Sequence, residues 1–157
     1  MLNFLNKTVK LIKKRKLKIS IAESCTGGLV ASMITSMSGS SKVFDVGFVT
    51  YSNKSKINIL KVPKKVIKKY GSVSHQCCLF MLNNLMKITK TDVTIAITGI
   101  AGPKGGSLKK PVGLVFIGVK YKDKVLIKKF LFKKNKRIEI QKASAKEAFK
   151  ILLSKLS

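Results

Sequence analysis

Apolar and polar positions follow two periods along this chain, and the switches between them mark its elements. Leu2, Leu5, Val9 and Ile12 recur at helical spacing, which predicts a first helix over residues 2 to 16 with these side chains on its buried face. KISIA, Lys18 to Ala22, then reads as a short β-branched strand. Glu23-Ser24-Cys25-Thr26-Gly27-Gly28 forms a tight turn, and LVASMITSM resumes helical spacing. Ser24 or Thr26 is the expected cap of that helix, and Gly27-Gly28 allows close backbone approach to a ligand.

VGFVTY, Val46 to Tyr51, predicts a second strand. A helical stretch at 53 to 60 follows it, and Pro63 opens another that runs to about Tyr70. Ser74 should cap a helix from His75 to Ile88. DVTIAI, Asp92 to Ile97, is apolar without alternation, as in a strand buried on both faces. The glycine-rich loop Thr98 to Gly106 comes next. Val112 to Val119 and Lys124 to Phe132 are strands joined by a hairpin around Tyr121-Lys122-Asp123, and Ile138 to Leu156 is a closing helix. Without an internal repeat or a linker, residues 1 to 157 read as one domain. Early β-α-β units and a late hairpin predict an α/β fold, a three-layer α/β/α sandwich around a mixed, mainly parallel sheet.

Composition narrows the chemistry. The 157 residues carry a net charge of +27, with 33 basic and 6 acidic side chains. Such a surface attracts anions. Yet Arg15 and Arg137 are the only arginines, and the lysines are spread along the chain. Phosphate readers favour the bidentate arginine fork. Mutational drift toward lysine accounts for this pattern better than selected polyanion binding, so nucleic acid is expected to bind only non-specifically. Cys25, Cys77 and Cys78 are an odd set without CxxC spacing. They read as reduced thiols in a cytoplasmic protein, and with His75 they make no zinc motif. The basic amphipathic start lacks the apolar core of a secretory signal, and no apolar run is long enough to span a membrane. No membrane partner and no cofactor are expected.

Three segments end strands: ESCTGG, YSNKSK and TGIAGPKGG. If the strands are parallel, all three meet at the carboxyl edge of the sheet, where α/β folds bind ligands. The turn at 24 to 28 would aim a helix N-terminus at an anion, and the 98 to 106 loop would add free N–H donors. Glu23 is the only acidic residue beside this edge and His75 lies away from it, which disfavours a carboxylate pair or a histidine triad. Hydroxyls and a lysine remain. A lysine whose pKa is lowered by burial can act as base for a serine.

These residues also resemble a known family. AESCTGG, GSSKVFDVGFVTYSNKSK, YGSVS and ITGIAGPKGGSLKKPVG, within residues 22 to 113, look like the C-terminal domain of CinA, the competence/damage-inducible family. The resemblance implies a stand-alone nicotinamide-nucleotide amidohydrolase, lacking the N-terminal pyrophosphatase domain of longer members. The implied reaction hydrolyses the carboxamide of nicotinamide mononucleotide to nicotinate mononucleotide and ammonia, by a metal-free serine–lysine mechanism. A homodimer and a phosphorylated nucleotide substrate are implied as partners.

By the same resemblance, Lys56 is the catalytic lysine, and Tyr51 and Thr98 line the site. Thr26, Gly27, Gly28, Gly99 and Gly102 are the expected substrate contacts beside Thr98. Ser24 and Ser41 both match family positions for the nucleophile. Ser41 and Lys56 flank a strand, and six extended residues span about 20 Å. That favours Ser24, unless the KVFDV segment coils or a second subunit completes the site. The family's Phe-x-Gly-Asp-Arg stretch is altered here to FKKNKRIEIQ, so Arg137 aligns only with an insertion and Gln141 replaces a second arginine. Arg137 remains a candidate substrate contact. The alternative reading is a decayed member, with reduced or lost activity, that binds polyanions.

Overall fold

The computed structural model describes residues 2–134 and 136–156. Five strands form one sheet: β1 (Ile19–Glu23), β2 (Phe44–Val49), β3 (Val93–Gly99), β4 (Leu114–Tyr121) and β5 (Lys124–Leu131). Their order is β2-β1-β3-β4-β5. β1 runs parallel to both β2 and β3, whereas β4 is antiparallel to β3 and to β5. The carboxyl ends of β1, β2 and β3 therefore share one edge, as the chain pattern predicted.

Helices cover both faces. They are α1 (Leu2–Lys14), α2 (Leu29–Thr35), α3 (Asn53–Asn58), α4 (Lys64–Tyr70), α5 (His75–Thr89) and α6 (Arg137–Leu156). Strand alternation explains the layering. Ile19 and Ile21, with Val93, Ile95 and Ile97 and with Val115, Ile117 and Val119, share one core with Leu5, Val9 and Ile12 of α1 and with Phe149 and Leu152 of α6. The side chain of Leu2, the fourth apolar position expected on α1, lies outside the described residues. The opposite face carries smaller residues, Ala22 and Ala96, which lets α5 sit close with Cys77, Cys78, Met81 and Leu82. A β-carbon on Gly118 of β4 would come within 3.1 Å of the Cys78 sulfur. Cys77 and Cys78 are thus core residues, as expected. No described helix is long and apolar enough to cross a membrane.

The element boundaries depart from the sequence expectation at one place that matters for the site. β2 stops at Val49, two residues early. Thr50 and Tyr51 leave the strand, and their carbonyls turn toward the amine of Lys56. At the far end of β2, Gly39 and the single 3-10 turn Ser40–Lys42 lead into the strand.

Candidate functional site

Lys56 is placed by local sequence. Ser52 caps α3 through a reciprocal capping box with Ser55, fixing the first turn of this short helix. Lys56 follows on that turn and points back under the sheet edge, where it is only 1% exposed. Its Nζ lies 2.9 Å from Ser24 Oγ, 2.8 Å from the Thr50 carbonyl oxygen and 3.2 Å from that of Tyr51. Three acceptors match the three hydrogens of an ammonium. They equally suit a neutral amine that donates to both carbonyls and accepts from the serine hydroxyl.

Burial lowers the Lys56 pKa from its ordinary 10.5, with Cys77 and Cys25 opposing the shift. Those thiols offer little counter-charge near neutrality. Burial pushes Cys25 up to about 12 and Cys77 up to about 11. The lysine has no carboxylate partner either. The one ion pair among the described residues is Lys150–Glu147, on α6.

Glu23, the acid beside the site, is committed elsewhere. Its carboxylate accepts from the backbone N–H groups of Gly28, Val30 and Ala31 at 2.8 to 3.1 Å. The α2 N-terminus is therefore filled by a side chain of this protein. This corrects two expectations. Neither Ser24 nor Thr26 caps α2, because Gly28 is its N-cap and makes no side-chain cap bond. Nor is the helix end open to a phosphate, because Gly28, Val30 and Ala31 donate to Glu23, and Gly27 donates to the Ser24 carbonyl oxygen. Positive φ at Gly27 and Gly28 (61° and 96°) lets the chain double back to reach Glu23. Thr26 is buried, its hydroxyl without a partner. Thr26, Gly27 and Gly28 all lie outside the cleft that the other residues form.

That cleft encloses about 220 Å³ and opens to solvent. Ser24, Cys25 and Lys56 lie along one side, Thr98 to Gly102 along another, with Lys104 and Gly105 beyond them. The Thr98 hydroxyl donates to the Ser72 carbonyl oxygen at 2.7 Å, joining the end of β3 to the turn after α4. Gly102 has φ of 73°, and a β-carbon there would meet Val112 at 2.5 Å, so this bend demands glycine. Among the described residues, no group takes the backbone N–H of Ala101, Gly102, Lys104 or Gly105. The loop after β3 thus carries free N–H donors at the cleft, as expected of residues 98 to 106.

Arg137 opens α6 and reaches across the mouth. It donates to the Gly102 carbonyl oxygen at 2.8 Å and to the Tyr51 hydroxyl at 2.6 Å, with its guanidinium 6.0 Å from the Tyr51 ring centre. Tyr51 is 59% exposed and shapes the rim. One turn along α6, Gln141 donates to the Cys25 carbonyl oxygen at 2.9 Å.

Ser41 stands apart. It is exposed, in the turn before β2, and its carbonyl oxygen accepts from Lys18. The KVFDV segment does not coil inward, so the length of β2 separates Ser41 from Lys56 within one chain. The structure brings together Ser24, Lys56, Tyr51, Thr98, Gly99, Gly102 and Arg137, and leaves out Ser41, Thr26, Gly27 and Gly28. Sequence reasoning missed the capping role of Glu23 and the contact of Gln141 with Cys25. A lone acid just before a helix was the readable signal for the first. Nothing local announced the second.

An α/β domain with a buried lysine against a serine, in an open cleft at the carboxyl edge of its sheet, is the class that this geometry defines. The family model for the CinA C-terminal domain matches residues 2–156, and the chain belongs to that family. A relative from Caldicellulosiruptor bescii is 45% identical over 148 residues, covering 94% of this chain and 36% of that protein. A CinA-like protein of Kosmotoga olearia is 48% identical over 121 residues, 77% of this chain and 29% of that one. The chain thus spans about a third of the length of these curated relatives. Among solved structures, the competence/damage inducible protein CihA from Agrobacterium tumefaciens superposes with a TM-score of 0.94 at 37% identity, covering 97% of this chain and 93% of that chain. The competence or damage-inducible protein from Enterobacter asburiae gives 0.94 at 27% identity, with 98% and 96% covered.

Proposed function

We propose that this domain is an amidohydrolase that converts nicotinamide mononucleotide to nicotinate mononucleotide and ammonia, with Ser24 as nucleophile and Lys56 as its base. The observation that carries this reading is the buried Lys56 amine, 2.9 Å from the Ser24 hydroxyl and without a carboxylate to hold it charged. Membership of the CinA C-terminal domain family supports the choice of substrate.

In this mechanism neutral Lys56 takes the Ser24 proton as Oγ attacks the carboxamide carbon. The tetrahedral intermediate collapses when the C–N bond breaks, and Lys56 returns the proton to the departing nitrogen, releasing ammonia. The acyl-serine ester is then hydrolysed. Lys56 removes a proton from water, hydroxide adds to the ester carbon, and Ser24 leaves with the proton restored. The Thr50 and Tyr51 carbonyls orient the amine throughout. At the other end of the nucleotide, the phosphate suits the Arg137 guanidinium and the unpaired N–H groups of Ala101, Gly102, Lys104 and Gly105.

The test is incubation of the purified protein with nicotinamide mononucleotide, without added metal, following ammonia and nicotinate mononucleotide. Release well above a Lys56→Ala control supports the reading. No release from folded protein that still binds the nucleotide favours the decayed-member alternative.

A further inference from the structure

Lys110 is absorbed by no part of the site described above, yet its side chain is heavily engaged. It lies on the excursion between the glycine-rich loop and β4, in a turn closed by Ser107, whose N–H donates to the Lys110 carbonyl oxygen and whose hydroxyl accepts the Lys110 N–H. From there the ammonium reaches two carbonyl oxygens of another segment. One belongs to Tyr70, the last residue of α4, and the other, at 2.8 Å, to Val73. The turn Gly71–Ser74 is wrapped around this charge so closely that a β-carbon on Gly71 would collide with Nζ.

Ser72 and Val73 of that turn form one wall of the cleft, and Gly102, Lys104 and Gly105 form another. The Ser72 carbonyl oxygen also holds the Thr98 hydroxyl. A single side chain that is not itself in the cleft therefore ties its two non-sheet walls together. A charged donor shared by two carbonyls outlasts a neutral bond of the same length. Neither segment has regular structure of its own to fix the spacing.

We infer that Lys110 is a positioning residue that sets the width of the substrate cleft by strapping the 104–112 excursion to the α4–α5 turn. It acts on substrate binding and leaves the Ser24–Lys56 pair untouched. The catalytic consequence rests on the amidohydrolase reading, whereas the strap itself does not.

The experiment compares Lys110→Met, Lys110→Arg and Lys109→Met with the parent protein. Lys109 is an exposed neighbour carrying the same charge on the same excursion. The first readout is amide hydrogen exchange without substrate. In Lys110→Met, exchange should quicken at least about tenfold at the hydrogen-bonded amides on both sides of the strap, Gly71 in the α4–α5 turn and Ser107 in the excursion, while β3 and α5 stay protected. Lys110→Arg should restore most of the protection, and Lys109→Met should change nothing. The second readout is steady-state hydrolysis of nicotinamide mononucleotide. In Lys110→Met, KM should rise roughly tenfold with kcat and its pH profile kept within about twofold.

Faster exchange confined to 104–112, unchanged exchange, or loss of protection across β3 and α5 would each overturn the strap. A fall in kcat at unchanged KM would overturn its assignment to substrate binding. If the parent protein shows no turnover, the amidohydrolase reading fails, and the exchange data still decide the strap.

Discussion

The Lys56 amine and the Ser24 hydroxyl lie 2.9 Å apart, although 32 residues separate them in the chain. Parallel pairing of β1 and β2 is what closes that gap. It sets the residue after β1 beside the turn after β2, and the capping box of α3 aims the lysine inward. Burial away from water, with no carboxylate beside it, holds the lysine toward its neutral form.

The pH dependence follows in sign. Lys56 works as a base only when neutral, so kcat/KM should fall as pH drops through its lowered pKa, which lies below 10.5. A pH–rate profile measures this limb. Stability carries the same signature. Between the folded value and 10.5 the unfolded chain binds a proton that the folded chain does not, so the group's contribution rises with pH. Relative to Lys56→Met, the wild type should therefore gain stability as pH increases across that window, by at most about 1.4 kcal/mol per unit. Denaturant titrations of both proteins at several pH values check it. A difference that falls with rising pH would contradict the lowered pKa.

Glu23→Ala removes one carboxylate from three backbone donors at the start of α2. The expected loss is on the order of 3 kcal/mol in unfolding free energy. The same variant should acquire anion binding at the vacated helix end, so phosphate should raise its Tm more than that of the wild type. Thermal melts with and without phosphate, at matched ionic strength, measure both effects.

Arg137→Ala should raise KM for nicotinamide mononucleotide by about 10-fold to 100-fold, the scale of a charge-assisted contact. The phosphate-free nucleoside should lose much less, which separates phosphate recognition from general damage to the cleft. Equal losses for both substrates would assign Arg137 to holding Gly102 and Tyr51 in place.

Much of this architecture was readable in the sequence because its signals are local. Residues 92 to 97 announced a strand buried on both faces, Ser74 announced the start of α5, and three strand ends announced a shared edge. The placement of Ser24 beside Lys56 was also legible, since an ordinary strand keeps Ser41 at the opposite end of β2. What was not legible depends on partners distant in the chain. Glu23 reaches past its own turn to fill the α2 N-terminus, and Thr26, Gly27 and Gly28 do not line the cleft. Gln141 meets Cys25 across 116 residues, and Lys110 meets Val73 across 37. Sequence periodicity carries no trace of such contacts, nor of those that tie Arg137, behind the altered stretch, to Gly102 and Tyr51.

The central claim is the serine–lysine pair, and the most direct measurement is ammonia release from nicotinamide mononucleotide by the wild type, Ser24→Ala, Ser41→Ala and Lys56→Ala, each first shown to be folded. The account predicts turnover by the wild type and by Ser41→Ala, with rates at least about 100-fold lower for Ser24→Ala and Lys56→Ala. Turnover that survives Ser24→Ala but is lost in Ser41→Ala would contradict it, and would give the nucleophile to Ser41 supplied by a second copy of the chain.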